Sequence, residues 1–149
     1  MTGVPMKSLI AVAVAAFVVG CSKKESESTV KIGHVGPLTG GIAHLGKDNE
    51  AGAKMAIADL NAAKITIGGK PVKFELISED DAADPKQGSA VAQKLVDAKV
   101  VGVIGHLNSG TTIPASTIYN QAGIPQISPS ATNPKYTLQG YKTAFRVVA

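Results

Sequence analysis

The sequence predicts an α/β fold with three layers, αβα, around a mostly parallel sheet. Three observations carry this. Short β-type runs alternate with helical patterns, and the links between them are short. Val100 to Ile104 (VVGVI) is a continuous apolar run, as expected of a strand covered on both faces. Asp84-Pro85 and Asn133-Pro134 mark helix starts in which a capping side chain precedes proline. Alternation of this kind implies right-handed crossovers between parallel strands.

In chain order, Val30 to Val35 reads as the first strand, followed by the Gly-rich loop Gly36 to Gly41. The pattern turns helical from about Lys47 to Ala62, with Ala51, Met55, Ala58 and Ala62 on one face. Gly68-Gly69 is a turn, and Val72 to Ser78 alternates as a strand does. It runs into Glu79, Asp80, Asp81 and Asp84. The helix opened by Asp84-Pro85 extends to about Ala98, with Val91, Leu95 and Ala98 on one face. After the strand at Val100 to Ile104, a helix is expected from about Thr112 to Ala122. Pro114 lies near its first turn, and Gly123 ends it. Pro125 to Ser128 is a short strand, Asn133-Pro134 opens a helical turn, and Ala144 to Val148 is the last strand.

The chain has 149 residues, of which 44% are hydrophobic and 17% charged, so disorder and coiled coil are excluded. A single Cys gives no internal disulfide and no multi-Cys zinc site. The net charge of +4 is modest, aromatics are few and the basic residues are scattered, so no nucleic-acid partner is expected.

Residues 8–20 (SLIAVAVAAFVVG) carry no charge and follow Lys7. The run is shorter than the roughly 20 residues a membrane-spanning helix needs, and it has the length of a signal-peptide core. Met6-Lys7 reads as its natural start. Val18-Val19-Gly20-Cys21 resembles a bacterial lipobox, with a small residue before the cut and a thiol after it to take the lipid. The expected division is a lipoprotein signal peptide over 1–20, a polar tether over 21–29 (Cys21 lipidated), and one domain over 30–149. The expected place is the periplasm or cell envelope, with the chain anchored to a membrane.

In an open parallel sheet, ligands bind at the carboxyl ends of the strands. The loops expected there are 36–46, 79–84, 105–111 and 128–133. Several feed helix N-termini, whose free N–H groups favour an anion. Ser109, Thr111, Thr112, Ser128, Ser130 and Thr132 add hydroxyls. The stretches 105–112 and 128–134 hold no Lys or Arg, which suits a carboxylate better than a phosphate. Two or three hydrogen bonds to a charged group, at about 1.5–3 kcal/mol each, suffice for a small acid.

Other chemistries have weaker support. The Gly36 to Gly41 loop lacks the Gly-x-Gly-x-x-Gly spacing of a dinucleotide site. His34, His44 and His106 have no metal-ligand spacing and read as structural or surface residues. Asp80-Asp81 reads as a solvated pair at a strand end. No nucleophile elbow or triad is present, so neither an enzyme nor a cofactor or metal is expected.

Four segments carry a family resemblance: VKIGHVGPLTGG (Val30 to Gly41), EDDAADPKQ (Glu79 to Gln87), VIGHLNSGTTIPAS (Val103 to Ser116) and GIPQISPSATNP (Gly123 to Pro134). Together they resemble the branched-chain amino-acid (Leu/Ile/Val)-binding proteins of bacterial ABC importers, within the type I periplasmic binding protein family. The resemblance implies an incomplete N-terminal lobe of a bilobed protein about twice this long, which closes on an amino acid and passes it to ABC permease subunits. It implies that Ser109 binds the ligand carboxylate and that Thr132 binds both charged groups. Ser130 lies where a backbone carbonyl receives the ammonium, and Leu107 and Ala131 fall in the same ligand-binding segments. Leu45 stands where some relatives carry an aromatic near the ligand side chain. Ala83 and Asn108 stand where some relatives have a disulfide. An incomplete lobe would expose an apolar edge and be prone to aggregate. The alternative on the same fold is an amide or amino-acid sensor feeding a regulator, against which the lipobox argues.

Overall fold

The computed structural model describes residues 28–148. The leader, Cys21 and all of the tether but its last two residues lie outside them. Ser28 and Thr29, assigned from sequence to the tether, belong instead to the first strand, β1 (Ser28–Gly36), where they pair with Val72 and Lys73.

The helix α1 (Ala43–Ala62) starts four residues before the expected Lys47. Its expected apolar face is turned to solvent: Ala51, Met55, Ala58 and Ala62 are exposed, Met55 at 69%. The buried side is Gly46 and Ala53, with Ile57 and Leu60 half-buried. Alanine recurs on nearly every turn of α1, so periodicity alone does not choose a face. Gly46 chooses it, because a Cβ there would run into the Pro37 carbonyl.

A two-residue strand, β2 (Thr66–Ile67), was not legible in the sequence. It forms an antiparallel hairpin with β3 (Lys70–Asp80). Gly68 and Gly69 close the hairpin with φ of 60° and 77°, the positive values that a two-residue turn requires.

The helix α2 (Pro85–Asp97) begins as expected, with Asp84 Oδ1 accepting from the Gln87 N–H at 2.7 Å. The strand β4 is confined to Val103–Ile104 rather than Val100 to Ile104. The helix α3 (Ser109–Gln121) starts three residues before the expected Thr112, so Pro114 falls inside the helix and the Gly110 carbonyl loses its usual partner. Gly123, at φ 69°, ends it. The Gly123 N–H donates to the Asn120 carbonyl and the Ile124 N–H to the Tyr119 carbonyl, the paired bonds of a Schellman cap. Then follow β5 (Gln126–Ser128), the short α4 (Lys135–Leu138) and β6 (Ala144–Arg146). The N-cap of α4 is Pro134 rather than the expected Asn133, whose Oδ1 accepts from the Lys135 N–H at 2.9 Å in a turn just before the helix.

The sheet order is β2-β3-β1-β4-β5-β6, parallel throughout except for β2. The chain moves from β1 outward to β3 and then crosses to β4 on the other side of β1. That reversal puts a switch point between β1 and β4, and a crevice at their carboxyl ends.

α1 packs on β1 and β3, while α2 and α3 pack together on the opposite face. The core lies on the α2/α3 side, where Val35, Val91, Leu95, Val103, Ala115 and Tyr119 are buried together. On the α1 side, β4 to β6 are uncovered among the described residues. Ile104, Ile127 and Phe145 stand in lateral register there, with Ile127 43% and Phe145 50% exposed. The apolar surface expected at a sheet edge is therefore a sheet face.

Candidate functional site

The loops after β1, β3, β4 and β5 meet at the carboxyl edge. The loop after β1 is held by Asp80 at the end of β3. Asp80 Oδ1 accepts from the Leu38 N–H at 2.7 Å and the Ala82 N–H at 2.8 Å, and Oδ2 accepts from the Thr39 hydroxyl at 2.5 Å. Burial pushes this carboxyl up, but the hydrogen bonds from Thr39, Ala82 and Leu38 outweigh it and hold the pKa below the ordinary value. Asp80 is thus a loop anchor, not the solvated strand-end acid expected from sequence.

Asp81 also departs from that expectation, being fully buried beneath the site. Its Oδ2 lies 2.9 Å from His106 Nδ1, and its Oδ1 accepts from the Ala83 N–H at 3.0 Å. Burial opposes its charge, but the His106 and Ala83 donors leave its pKa lowered. Burial also lowers the pKa of His106 against the pull of Asp81, so the imidazole is neutral. Its Nδ1–H donates to Asp81, and Nε2 then accepts from the Tyr119 hydroxyl at 3.3 Å. Burial raises the Tyr119 pKa, which keeps that proton in place. His34 is 1% exposed, so two of the three histidines are interior, in keeping with the structural reading.

His106 and Leu107 form a hub between β4 and α3. The His106 carbonyl accepts from the Thr112 hydroxyl at 3.0 Å and the Ser128 hydroxyl at 2.7 Å. The Leu107 carbonyl accepts from the Ser130 hydroxyl at 2.8 Å. Gly105, just before the hub, has φ 128°, and a Cβ on it would meet the Val35 carbonyl. Four of the six hydroxyls expected at the edge, that of Ser130 among them, donate to backbone carbonyls and so serve the fold. Thr111, Thr112 and Ser128 are fully buried, and their hydroxyls are spent on backbone carbonyls.

The remaining sequence-predicted site residues fall at this edge in different ways. Ser109 opens α3, and its Oγ accepts from the Asn133 N–H at 3.2 Å, joining the loops after β4 and β5. Ser130 and Thr132 are exposed in the loop after β5. Ala131 between them is fully buried, its N–H given to Ser128 Oγ at 3.0 Å. The Leu107 side chain is 8% exposed and turned inward. These two residues contribute backbone and packing rather than an open side chain. Leu45, in the first turn of α1, is 45% exposed at the same edge of the sheet.

Sequence reasoning missed Arg146. The loops themselves hold no basic residue, but β6 brings a guanidinium to them. Arg146 Nη1 donates to the Thr132 carbonyl at 2.8 Å and lies 3.4 Å from the Ala131 carbonyl. The pairing of Ser128 with Arg146 across β5 and β6 sets this contact, and only tertiary structure reveals it.

A parallel sheet thus brings Ser/Thr loops and a helix N-terminus together at its switch point, the architecture of an α/β lobe. The chain belongs to the periplasmic binding protein family, whose model matches residues 29–149. It is 43% identical over 138 residues to the leucine-, isoleucine-, valine-, threonine- and alanine-binding protein of Pseudomonas aeruginosa, covering 93% of this chain and 35% of that one. It is 44% identical over 117 residues to the Leu/Ile/Val-binding protein of Escherichia coli K12, covering 78% of this chain and 31% of the relative. Its fold matches an ABC transporter substrate-binding protein from Desulfitobacterium hafniense in complex with Leu, with a TM-score of 0.68 and 36% identity. That match covers 80% of this chain and 34% of the other. A branched-chain amino acid transporter substrate-binding protein from Streptococcus pneumoniae in complex with isoleucine matches with the same TM-score and 34% identity, over 76% and 32% of the two chains. The neighbours share the type I periplasmic-binding fold, of which the described residues form part of one lobe. The chain spans about a third of the length of the curated relatives it matches, less than the half implied by the resemblance.

Proposed function

We propose that this chain supplies one lobe of a solute-binding protein that captures leucine, isoleucine or valine for an ABC importer. It acts in the periplasm and is tethered to a membrane by lipid on Cys21. Binding is non-covalent and involves no chemistry. Ser109 and the 130–132 loop receive the zwitterion: the Ser109 hydroxyl holds the carboxylate, Thr132 binds both charged groups, and a backbone carbonyl at Ser130 receives the ammonium. Leu45 keeps the neighbouring wall apolar, and Leu107 contributes its backbone. The observation that carries this reading is the joining of the two loops at the sheet edge, Ser109 to Asn133 and Ser130 to Leu107. The relatives named for leucine, isoleucine and valine support the choice of ligand.

The test is thermal unfolding of residues 21–149 against the twenty amino acids, short amides, AMP and NAD. A ligand at 100 times its dissociation constant stabilises by about 2.7 kcal/mol, which is readable as a melting shift. Shifts confined to branched aliphatic amino acids support the proposal. Shifts with amides alone, or with NAD, overturn it.

A further inference from the structure

We propose that the amino-terminal edge of the sheet is a membrane-facing surface that docks on anionic phospholipid headgroups. The proposal rests on the reading of Cys21 as the lipid-bearing residue.

Because the four long-range strand pairings are parallel and only the local β2 hairpin is antiparallel, the two edges of the sheet are distinct surfaces. The ligand loops occupy the carboxyl edge. The amino edge gathers Lys64 after α1, Lys70 and Lys73 at the start of β3, Lys99 after α2 and Lys142 before β6. All five are exposed, and none takes part in an ion pair among the described residues. Asp59 and Asp97 are the acids closest to that edge in the chain order of the elements, while Glu75 stands opposite Lys31 in the β1–β3 register. The opposite edge holds Asp48, Glu50, Glu79, Asp80, Asp81 and Asp84, more than half of the acids of the whole chain. Lys47, Lys86, Lys135 and Arg146 also stand at that opposite edge, and Lys54 and Lys94 pair with Glu50 and Glu79, so it is near neutral and the unpaired positive charge gathers at the amino edge. A groove of about 450 Å³ lies within the basic edge, lined by Asn61, Lys64, Ile65, Pro71, Val72 and Lys73. Two ammonium groups at the rim of a groove suit a phosphodiester.

The attachment point lies at the same end. β1 begins at Ser28 on the amino edge, only a few residues after Cys21. Six intervening residues (22–27) at full extension reach about 20–25 Å. A lipid on Cys21 thus confines the start of β1 to within that reach of the bilayer, from which the basic edge can enter the Debye length of about 8–10 Å where surface charge acts.

Cys21 is the one cysteine of the chain, which provides the test. Residues 21–149 are coupled through the Cys21 thiol to a maleimide lipid. The vesicles are either pure phosphatidylcholine or a mixture with phosphatidylglycerol. Hydrogen exchange is read over 64–73. The expected result is protection on the anionic vesicles only, abolished by high salt. In the uncoupled protein, Lys64→Gln, Lys73→Gln and Lys99→Gln should each lower partition onto anionic vesicles about five-fold. Equal exchange on both vesicle types overturns the proposal. So does an equal loss from Lys47→Gln, Lys86→Gln and Lys135→Gln at the other edge, which would show that net charge alone matters. No amino acid enters the measurement, so failure here and failure of the leucine reading are separate results.

Discussion

His106 Nδ1 lies 2.9 Å from Asp81 Oδ2, with both side chains wholly withdrawn from solvent. The pair joins the loop after β3 to the loop after β4, and the backbone of the same histidine receives the hydroxyls of Thr112 and Ser128. The carboxyl edge of the sheet is thus built on a buried carboxylate whose charge is met by an imidazole N–H and a backbone N–H. Removing one member of such a pair leaves the other buried without a partner, which costs more than the pair itself contributes.

Acid should therefore weaken the fold in two stages. The pKa of His106 is lowered, so below the ordinary histidine range the unfolded chain binds a proton that the folded chain refuses. Stability then falls with decreasing pH by up to about 1.4 kcal/mol per pH unit for that proton. The pKa of Asp81 is lowered as well, so its contribution is present above the ordinary carboxyl value and is lost as pH falls below it. Denaturant titrations from pH 7.5 to 3 should show both stages. His106→Gln should flatten the upper one, leaving the part that belongs to His34, whose pKa is also lowered by burial.

Arg146→Ala should release the carbonyls of Ala131 and Thr132. Loss of a charged donor predicts a cost of about 1–2 kcal/mol, discounted because the contact to Thr132 is solvent-exposed. Hydrogen exchange across 130–133 should rise along with the loss of stability. Unchanged exchange there would mean that the loop holds its shape without the guanidinium.

Ser109→Ala and Thr132→Ala should each weaken leucine binding by about 1.5–3 kcal/mol in calorimetry. Ser109→Ala also removes the acceptor of the Asn133 N–H, so part of its effect acts through the loop. Retention of full affinity by both variants would move the site elsewhere on the edge.

Gly46→Ala should destabilise by about 1–3 kcal/mol, the usual cost of forcing an extra carbon into a filled contact. The neighbour is the Pro37 backbone, which cannot rotate away as a side chain could. Gly52→Ala, in the same helix with open space around it, should be neutral or stabilising. A denaturation midpoint for each variant separates the two.

The uncovered face over β4 to β6 should drive self-association, because a contiguous apolar patch is exposed there. Ile127→Lys with Phe145→Lys should raise the monomer fraction in sedimentation. The same change at Met55, an isolated exposed residue of α1, should have little effect.

Local chemistry was legible in the sequence. The Asp84 cap, the Gly123 stop and the alternation of strands and helices each depend on residues near one another in the chain. They yielded the parallel sheet and the carboxyl edge on which Ser109, Ser130 and Thr132 lie. The family follows from the same segments, because short loop motifs keep their residues in order. What only the tertiary structure decided depends on distant partners. Alanine-rich α1 offered several equivalent faces, and contact with Pro37 selected one. Thr111, Thr112 and Ser128 could have served ligand or fold, and the carbonyls of Asn108 and His106 claimed them. Asp80 and Asp81 are neighbours in sequence with different fates: one ties a loop at the surface, and the other is sealed against His106. Arg146 reaches Thr132 only because β6 lies beside β5, a pairing that no local pattern encodes.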